Sequence, residues 1–234
     1  MLLNEYLTPM TNLVFKYNGT LDKYMGDAIM AIFGAPIASP NHAALGCQTA
    51  IEMMEALQAL RDQWAAQGLP TMDIGIGLNT GLMSAGNMGS TQKMQYTVMG
   101  DAVNQAARFE PACKIFGVLI MIGESTYQMA KDKIEARKLG LLVAKGKYES
   151  VEVYELLAKK GDLDETKSKL VQKFEAAWAI YAQGKFDEAK VAFGECLKIV
   201  PDDGPSLAYI EQCTRFTSDP PPENWAGEWI QLAK

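Results

Sequence analysis

Two stretches of this 234-residue chain hold side chains whose types and spacing could do chemistry. Asp27 ends the run Lys23-Tyr-Met-Gly-Asp27, between two short apolar segments. A carboxylate there is a candidate hard-oxygen ligand for a divalent cation. The plainer reading is an acid that hydrogen-bonds the backbone of its own turn. Asn104 and Arg108 stand four residues apart in a helical stretch, so both project from one face toward the same object. Alone, that pair reads as a solvated polar stripe. The single histidine, His42, has no partner for a metal site or a triad and reads as a surface or capping side chain. Cys47, Cys113, Cys196 and Cys213 show no Cys-x-x-Cys spacing and no secretory leader precedes them. They are expected to be buried thiols of a reducing compartment, which makes the cytoplasm the expected location.

These residues need elements to position them. Leu3, Tyr6, Met10, Leu13 and Tyr17 form one helix face, with a kink expected at Pro9. After the Asn18-Gly19 turn signal, residues 20–24 and 28–33 read as a hairpin with Asp27 at its tip. A helix carrying Cys47, Ile51, Met54, Leu57, Leu60 and Trp64 follows, ended by Gly68 and Pro70. Residues 73–79 alternate, Ile74, Ile76 and Leu78 facing one way and the small Gly75 and Gly77 the other, where another backbone or a ligand can come close. Residues 82–88 and 94–98 pair as strands, and Asp101 can cap a helix that runs to about Cys113. Strands at 118–122, 139–143 and 151–156 and a short helix at 125–131 complete an α+β sandwich rather than a doubly wound parallel sheet. From about Leu163 only helices are expected. Ala176, Tyr181, Gly184, Phe186, Ala189, Phe193, Leu197 and Pro201 resemble one tetratricopeptide unit, too short to stand alone and so expected to pack on the domain or a partner. Trp225 and Trp229 are candidate anchors of the end segment. The net charge of −6 and the lack of a basic run argue against a nucleic-acid surface. The longest apolar stretch, 118–122, is far too short to span a bilayer.

The joint order of several long motifs changes the weight of the isolated residues. Leu21-Asp-Lys-Tyr-Met-Gly-Asp-Ala-Ile-Met-Ala-Ile-Phe-Gly-Ala-Pro36, Ile76-Gly-Leu-Asn-Thr-Gly81, Gly86-Asn-Met-Gly-Ser90 and Tyr96-Thr-Val-Met-Gly-Asp-Ala-Val-Asn-Gln-Ala-Ala-Arg108 resemble the class III adenylyl and guanylyl cyclase catalytic domain. The resemblance implies a ferredoxin-like sandwich over residues 1–157, with 158–234 as a small all-α tail. It also implies a homodimer with head-to-tail sites at the interface, where two divalent ions, Mg²⁺ or Mn²⁺, bind the nucleotide phosphates. Asp27 matches the second of the family's two metal aspartates. By the same resemblance Asn104 orients the ribose, Arg108 stabilises charge on the phosphate in the transition state, and Lys145 grips the terminal phosphates. Base choice falls to Lys23 and Thr97. A lysine ammonium can donate to adenine N1 and a threonine oxygen can accept from the N6 amino group, while guanine presents the reverse pattern. ATP is therefore the expected substrate, and 3′,5′-cyclic AMP and pyrophosphate the expected products of this phosphorus–oxygen lyase of signal transduction. The Lys–Thr pair resembles bacterial members.

The pattern departs from the family at one place. A first strand with a Phe-x-Asp-Ile-x-Gly-Phe-Thr type motif, the source of the first metal aspartate, is expected ahead of Leu2 and is not in the chain. Asp22 is expected to point away from the Asp27 site. The chain is thus read as a truncated piece of a cyclase, weak or inactive by itself, whose full-length parent could be membrane-anchored. The competing reading is a non-catalytic dimerisation or nucleotide-binding module with the tail as its interaction surface.

Overall fold

The computed structural model describes residues 2–143 and 150–229. Helix α1 (Leu2–Lys16) buries Tyr6, Met10 and Val14, which share one face by their four-residue spacing, and continues through Pro9 to Lys16. The antiparallel pair β1 (Thr20–Met25) and β2 (Ala28–Ile32) turns at Gly26, whose φ of 68° suits a residue without Cβ. Helix α2 (His42–Ala66) follows, and His42 is simply its first residue. Then come β3 (Ile76–Leu78), the hairpin β4 (Ser84–Ser90) and β5 (Lys93–Met99), and helix α3 (Asp101–Phe116). Strand β6 (Ile120–Gly123), helix α4 (Glu124–Ala130), β7 (Ile134–Val143) and β8 (Ser150–Lys159) complete this part.

Beyond β8 lie three helices rather than the two of a single repeat: α5 (Glu165–Tyr181), α6 (Phe186–Leu197) and α7 (Gly204–Ser218). Asp164 and Asp203 cap α5 and α7 by accepting from backbone N–H groups of their first turns. A short strand, β9 (Glu228–Trp229), ends the described chain.

The main sheet has the order β3-β6-β8-β7-β9, with β3 parallel to β6, β9 parallel to β7, and β8 antiparallel to both its neighbours. The β1–β2 and β4–β5 pairs are separate two-stranded sheets. Strand alternation divides the main sheet between two cores. On one face Ile120, Ile122, Ile134, Tyr154 and Leu156 pack on Ala43, Ala44, Cys47 and Ala50 of α2. On the other, Met121, Leu139 and Val153 share a cluster with Phe109 and Phe116 of α3 and with Phe174, Tyr181, Phe193, Tyr209 and Phe216 of the tail. A third cluster joins Tyr6 and Met10 to Leu57 and Trp64. The tail is therefore a layer of the core.

Strands β7 and β8 are each ten residues long, longer than their apolar pattern suggests. Charged Arg137 hides the pattern: it is only 2% exposed and pairs across the ladder with Glu155. All four cysteines are free and buried, as expected, and burial pushes the Cys47 thiol up to about 12. Among the described residues, no helix is long and apolar enough to cross a membrane.

Candidate functional site

The corner between β1 and β5 brings together two of the residues singled out in the sequence. A β-bulge interrupts the β1–β2 register between Leu21 and Lys23, and Asp22 is the extra residue. Adjacent strand residues normally face opposite ways, but at a bulge both can reach the same side. Lys23 Nζ donates to Thr97 Oγ1 at 3.2 Å and lies 3.2 Å from Asp22 Oδ1. Thr97 Oγ1 in turn donates to Asp22 Oδ2 at 2.6 Å. Gln95, two residues before Thr97 on the same face of β5, donates from Nε2 to the Asp22 carbonyl at 3.2 Å and to Oδ1 at 3.3 Å. The Asp22 side chain has no exposed surface, whereas that of Lys23 is about a third exposed at 35%. A buried carboxylate thus organises a lysine and a threonine that still reach solvent.

Helix α3 carries Asn104 and Arg108, and its seat depends on two glycines. A Cβ at Gly77 would lie 2.4 Å from the Ala106 carbonyl oxygen, and one at Gly75 would lie 3.0 Å from that of Glu110. The close approach foreseen at these positions is thus that of the α3 backbone. Asn79 Nδ2 ties the end of β3 to the first turn of α3 by donating to the Ala102 carbonyl at 3.1 Å and to Gln105 Oε1 at 2.9 Å. The helix starts at Gly100, with φ 155° and no side-chain cap. Asp101 is not the cap foreseen; it lies in the first turn, where its carboxylate accepts from Gln105 at 3.2 Å and its charge suits the helix dipole. Asn104 is exposed. Arg108 is partly buried, and its Nη1 is shut from solvent with no hydrogen-bond partner among the described residues.

Asp27 sits exposed in the β1–β2 turn. Its charge reaches back to α1, where burial first and Asp27 second raise the pKa of the Tyr6 hydroxyl. No hydrogen bond or ion pair among the described residues joins Asp27 to Asn104 or Arg108, so a single copy does not assemble the foreseen set.

Residues 1–158 match the family model described as the adenylate and guanylate cyclase catalytic domain. The chain belongs to that family. The cyclase domain is 33% identical over 156 residues to adenylate cyclase 1 of Rhizobium meliloti (strain 1021), covering 67% of this chain and 24% of that protein. The chain is 33% identical over 218 residues to the terminal-differentiation-specific adenylate cyclase of Dictyostelium discoideum, covering 90% of this chain and 10% of that protein. Among solved structures, the adenylyl cyclase CyaB from P. aeruginosa superposes with a TM-score of 0.63 at 36% identity, covering 70% of this chain and 84% of that one. The chain thus spans about a quarter or less of these curated relatives. A likeness that covers 90% of the chain runs well past residue 158, into the helical tail.

The family uses divalent metal ions, but the described residues of this cyclase domain do not make a resident metal site. Among them no group of three or more His, Cys, Asp or Glu side chains could hold an ion, and Asp27 offers one carboxylate. Lys145 lies outside the described residues. Sequence reading did not single out Asp22 as the partner of Lys23 and Thr97, because a bulge is not visible in a pattern of alternation.

Proposed function

We propose that this cyclase domain converts ATP to 3′,5′-cyclic AMP and pyrophosphate, at a site completed by a second copy of the chain. The observation that carries this reading is the contact of Lys23 with Thr97. An ammonium and a hydroxyl 3.2 Å apart match neighbouring acceptor and donor edges of adenine, N1 and the N6 amino group. Arg108 supports it, since a guanidinium N–H buried without an acceptor costs about 1–3 kcal/mol unless a ligand oxygen answers it. A phosphate oxygen does so, and Arg108 then stabilises the charge that builds as the 3′-hydroxyl attacks the α-phosphate. Asn104, one helical turn away on the same face, holds the ribose. Asp27, which no hydrogen bond or ion pair among the described residues joins to either, serves the site of the facing copy. Asp27 would give one oxygen ligand to a divalent ion such as Mg²⁺ or Mn²⁺, which would supply positive charge against the triphosphate.

The test is a product assay on this chain with Mn²⁺, ATP and GTP, in which cyclic AMP is the expected main product. The double variant K23E/T97G replaces the pair with an acid and a small residue and is expected to shift the preference toward GTP by tenfold or more, with roughly one good base contact worth about 1–3 kcal/mol. A preference for GTP in the unaltered chain would reject the adenine reading. The single carboxylate among the described candidate ligands favours a second reading, a nucleotide-binding or dimerisation module without turnover. Saturable ATP binding without product would support it.

A further inference from the structure

The base-reading roles of Lys23 and Thr97 leave the Asp22 carboxylate unused, although it is the best-connected group of the corner. A threonine hydroxyl has one hydrogen to give and two positions at which to accept. An ionised carboxylate can only accept, and an ammonium can only donate. The 2.6 Å contact to Asp22 therefore takes the single hydrogen of Thr97, and the 3.2 Å contact from Lys23 fills one accepting position. One accepting position is left for whatever sits beyond Thr97. Left to itself, a hydroxyl would rotate and serve donor or acceptor alike. Here it cannot, because the carboxylate has no exposed surface through which water could take its place and is held from its other side by Gln95.

We propose that Asp22 is the positioning residue that sets base choice: by holding the Thr97 hydroxyl as an acceptor, it makes the corner take a 6-amino purine and reject a 6-oxo purine. An exocyclic amino group gives its hydrogen to the free position on Thr97. A 6-oxo group brings a second acceptor to the same place and leaves both unpaired, a buried mismatch that costs affinity steeply. It is the bulge that makes the contact of Asp22 with Thr97 possible, since it lets Asp22 and Lys23 act on one side of β1.

The role of Asp22 rests on the adenine reading, and two measurements separate their failures. The first uses the unaltered chain with Mn²⁺ and compares ATP, GTP and inosine triphosphate, by cyclic product and by displacement of a fluorescent ATP analogue. Inosine triphosphate differs from ATP at the 6-position and its ring nitrogen alone. Preference for ATP over inosine triphosphate by about tenfold or more is expected from one unpaired buried group. Equal handling of the two overturns the role of Asp22 without any substitution. Preference for GTP, or no response to any nucleotide, rejects the adenine reading and this role with it. The second compares Asp22→Asn and Asp22→Ala. Both are expected to lower the ATP to inosine triphosphate ratio about tenfold, and Asp22→Asn is expected to change nothing further when Thr97 is already alanine. A loss of both activities in proportion, with the ratio intact, would show a merely structural part for Asp22. A ratio that still moves in the Thr97→Ala background would show that it does not act through Thr97.

Discussion

At the corner of β1 and β5, two separate hairpins meet: β1 touches β5 by the hydrogen bonds around Asp22, and the neighbouring side chains Tyr24, Met25 and Met99 stay exposed. On the far face of the main sheet, the tail closes a dry core. Tyr209, fully buried, lies among the rings of Phe174, Tyr181, Phe193 and Trp229 and donates its hydroxyl hydrogen to the Leu139 carbonyl at 2.6 Å. Arg137 donates to Glu155 at 2.9 Å and to Asp203, the cap of α7, at 2.8 Å, with its guanidinium 4.7 Å above the Phe174 ring. Burial opposes the charge of Arg137, but the Glu155 and Asp203 carboxylates more than offset this and hold its pKa above the ordinary value. Both regions use a buried charged group to join elements distant in sequence. They differ in what solvent can reach: the tail face pairs its Arg137 and Tyr209 hydrogens within the chain and shuts Tyr181 Oη and Gln212 Nε2 away from water without a hydrogen-bond partner among the described residues, whereas the corner keeps an acceptor on Thr97 and a lysine open to solvent. Polar groups satisfied within the chain serve cohesion; those left partly unsatisfied where solvent reaches them are the ones available to a ligand.

That contrast predicts where substitutions act. Arg137→Ala removes one partner of a buried ion cluster and strands two carboxylates, so urea unfolding should show a loss of about 3–5 kcal/mol. A loss below about 1 kcal/mol, as for a surface pair, would mean that the tail is not held through Arg137. Arg108→Ala should behave oppositely, lowering kcat for cyclic AMP formation by about 10²–10³ as expected for a lost transition-state contact. Its melting temperature should not fall, because its Nη1 has no partner to lose; a large drop in melting temperature would put Arg108 on the cohesive side of the comparison.

The smallest effect sharpens the comparison at a third place. Glu52 accepts from Lys159, Lys16 and Tyr17, and these partners lower its carboxyl pKa from the usual value to about 2. Because the folded pKa lies below that of the unfolded chain, the stabilisation is full above about pH 4.5 and is lost as the pH falls toward 2. Glu52→Gln should flatten that acid limb and change neutral-pH stability by less than about 1 kcal/mol, as for partly exposed ion pairs. An unchanged acid limb in circular dichroism would show that Glu52 is uncoupled from unfolding.

The hairpin with Asp27 at its tip, the long α2 with its apolar face, and the helix bearing Asn104 and Arg108 were all legible, because each depends on local periodicity and on turn residues beside it. The buried end of β7 was not. Glu135, Arg137 and Lys138 look like a solvated stretch until Glu155 and Asp203, far along the chain, come alongside Arg137. The three-helix tail was read as two helices packed on the domain or on a partner. That it shares the core of the main sheet depends on Leu139, Val153 and Phe116 as much as on its own residues.

The amino-acid sequence by itself determined the family and the types of most elements, through motif order, spacing and turn residues, and the resemblance to that family singled out Lys23, Asp27, Thr97, Asn104 and Arg108 as candidates. Only the tertiary structure decided that Lys23 and Thr97 touch and that Asp22 contacts both. The physical reason is that hydrogen-bond direction and burial belong to pairs of groups more than seventy positions apart on the chain. A one-residue bulge, invisible in a pattern of alternation, sets which way an acid points.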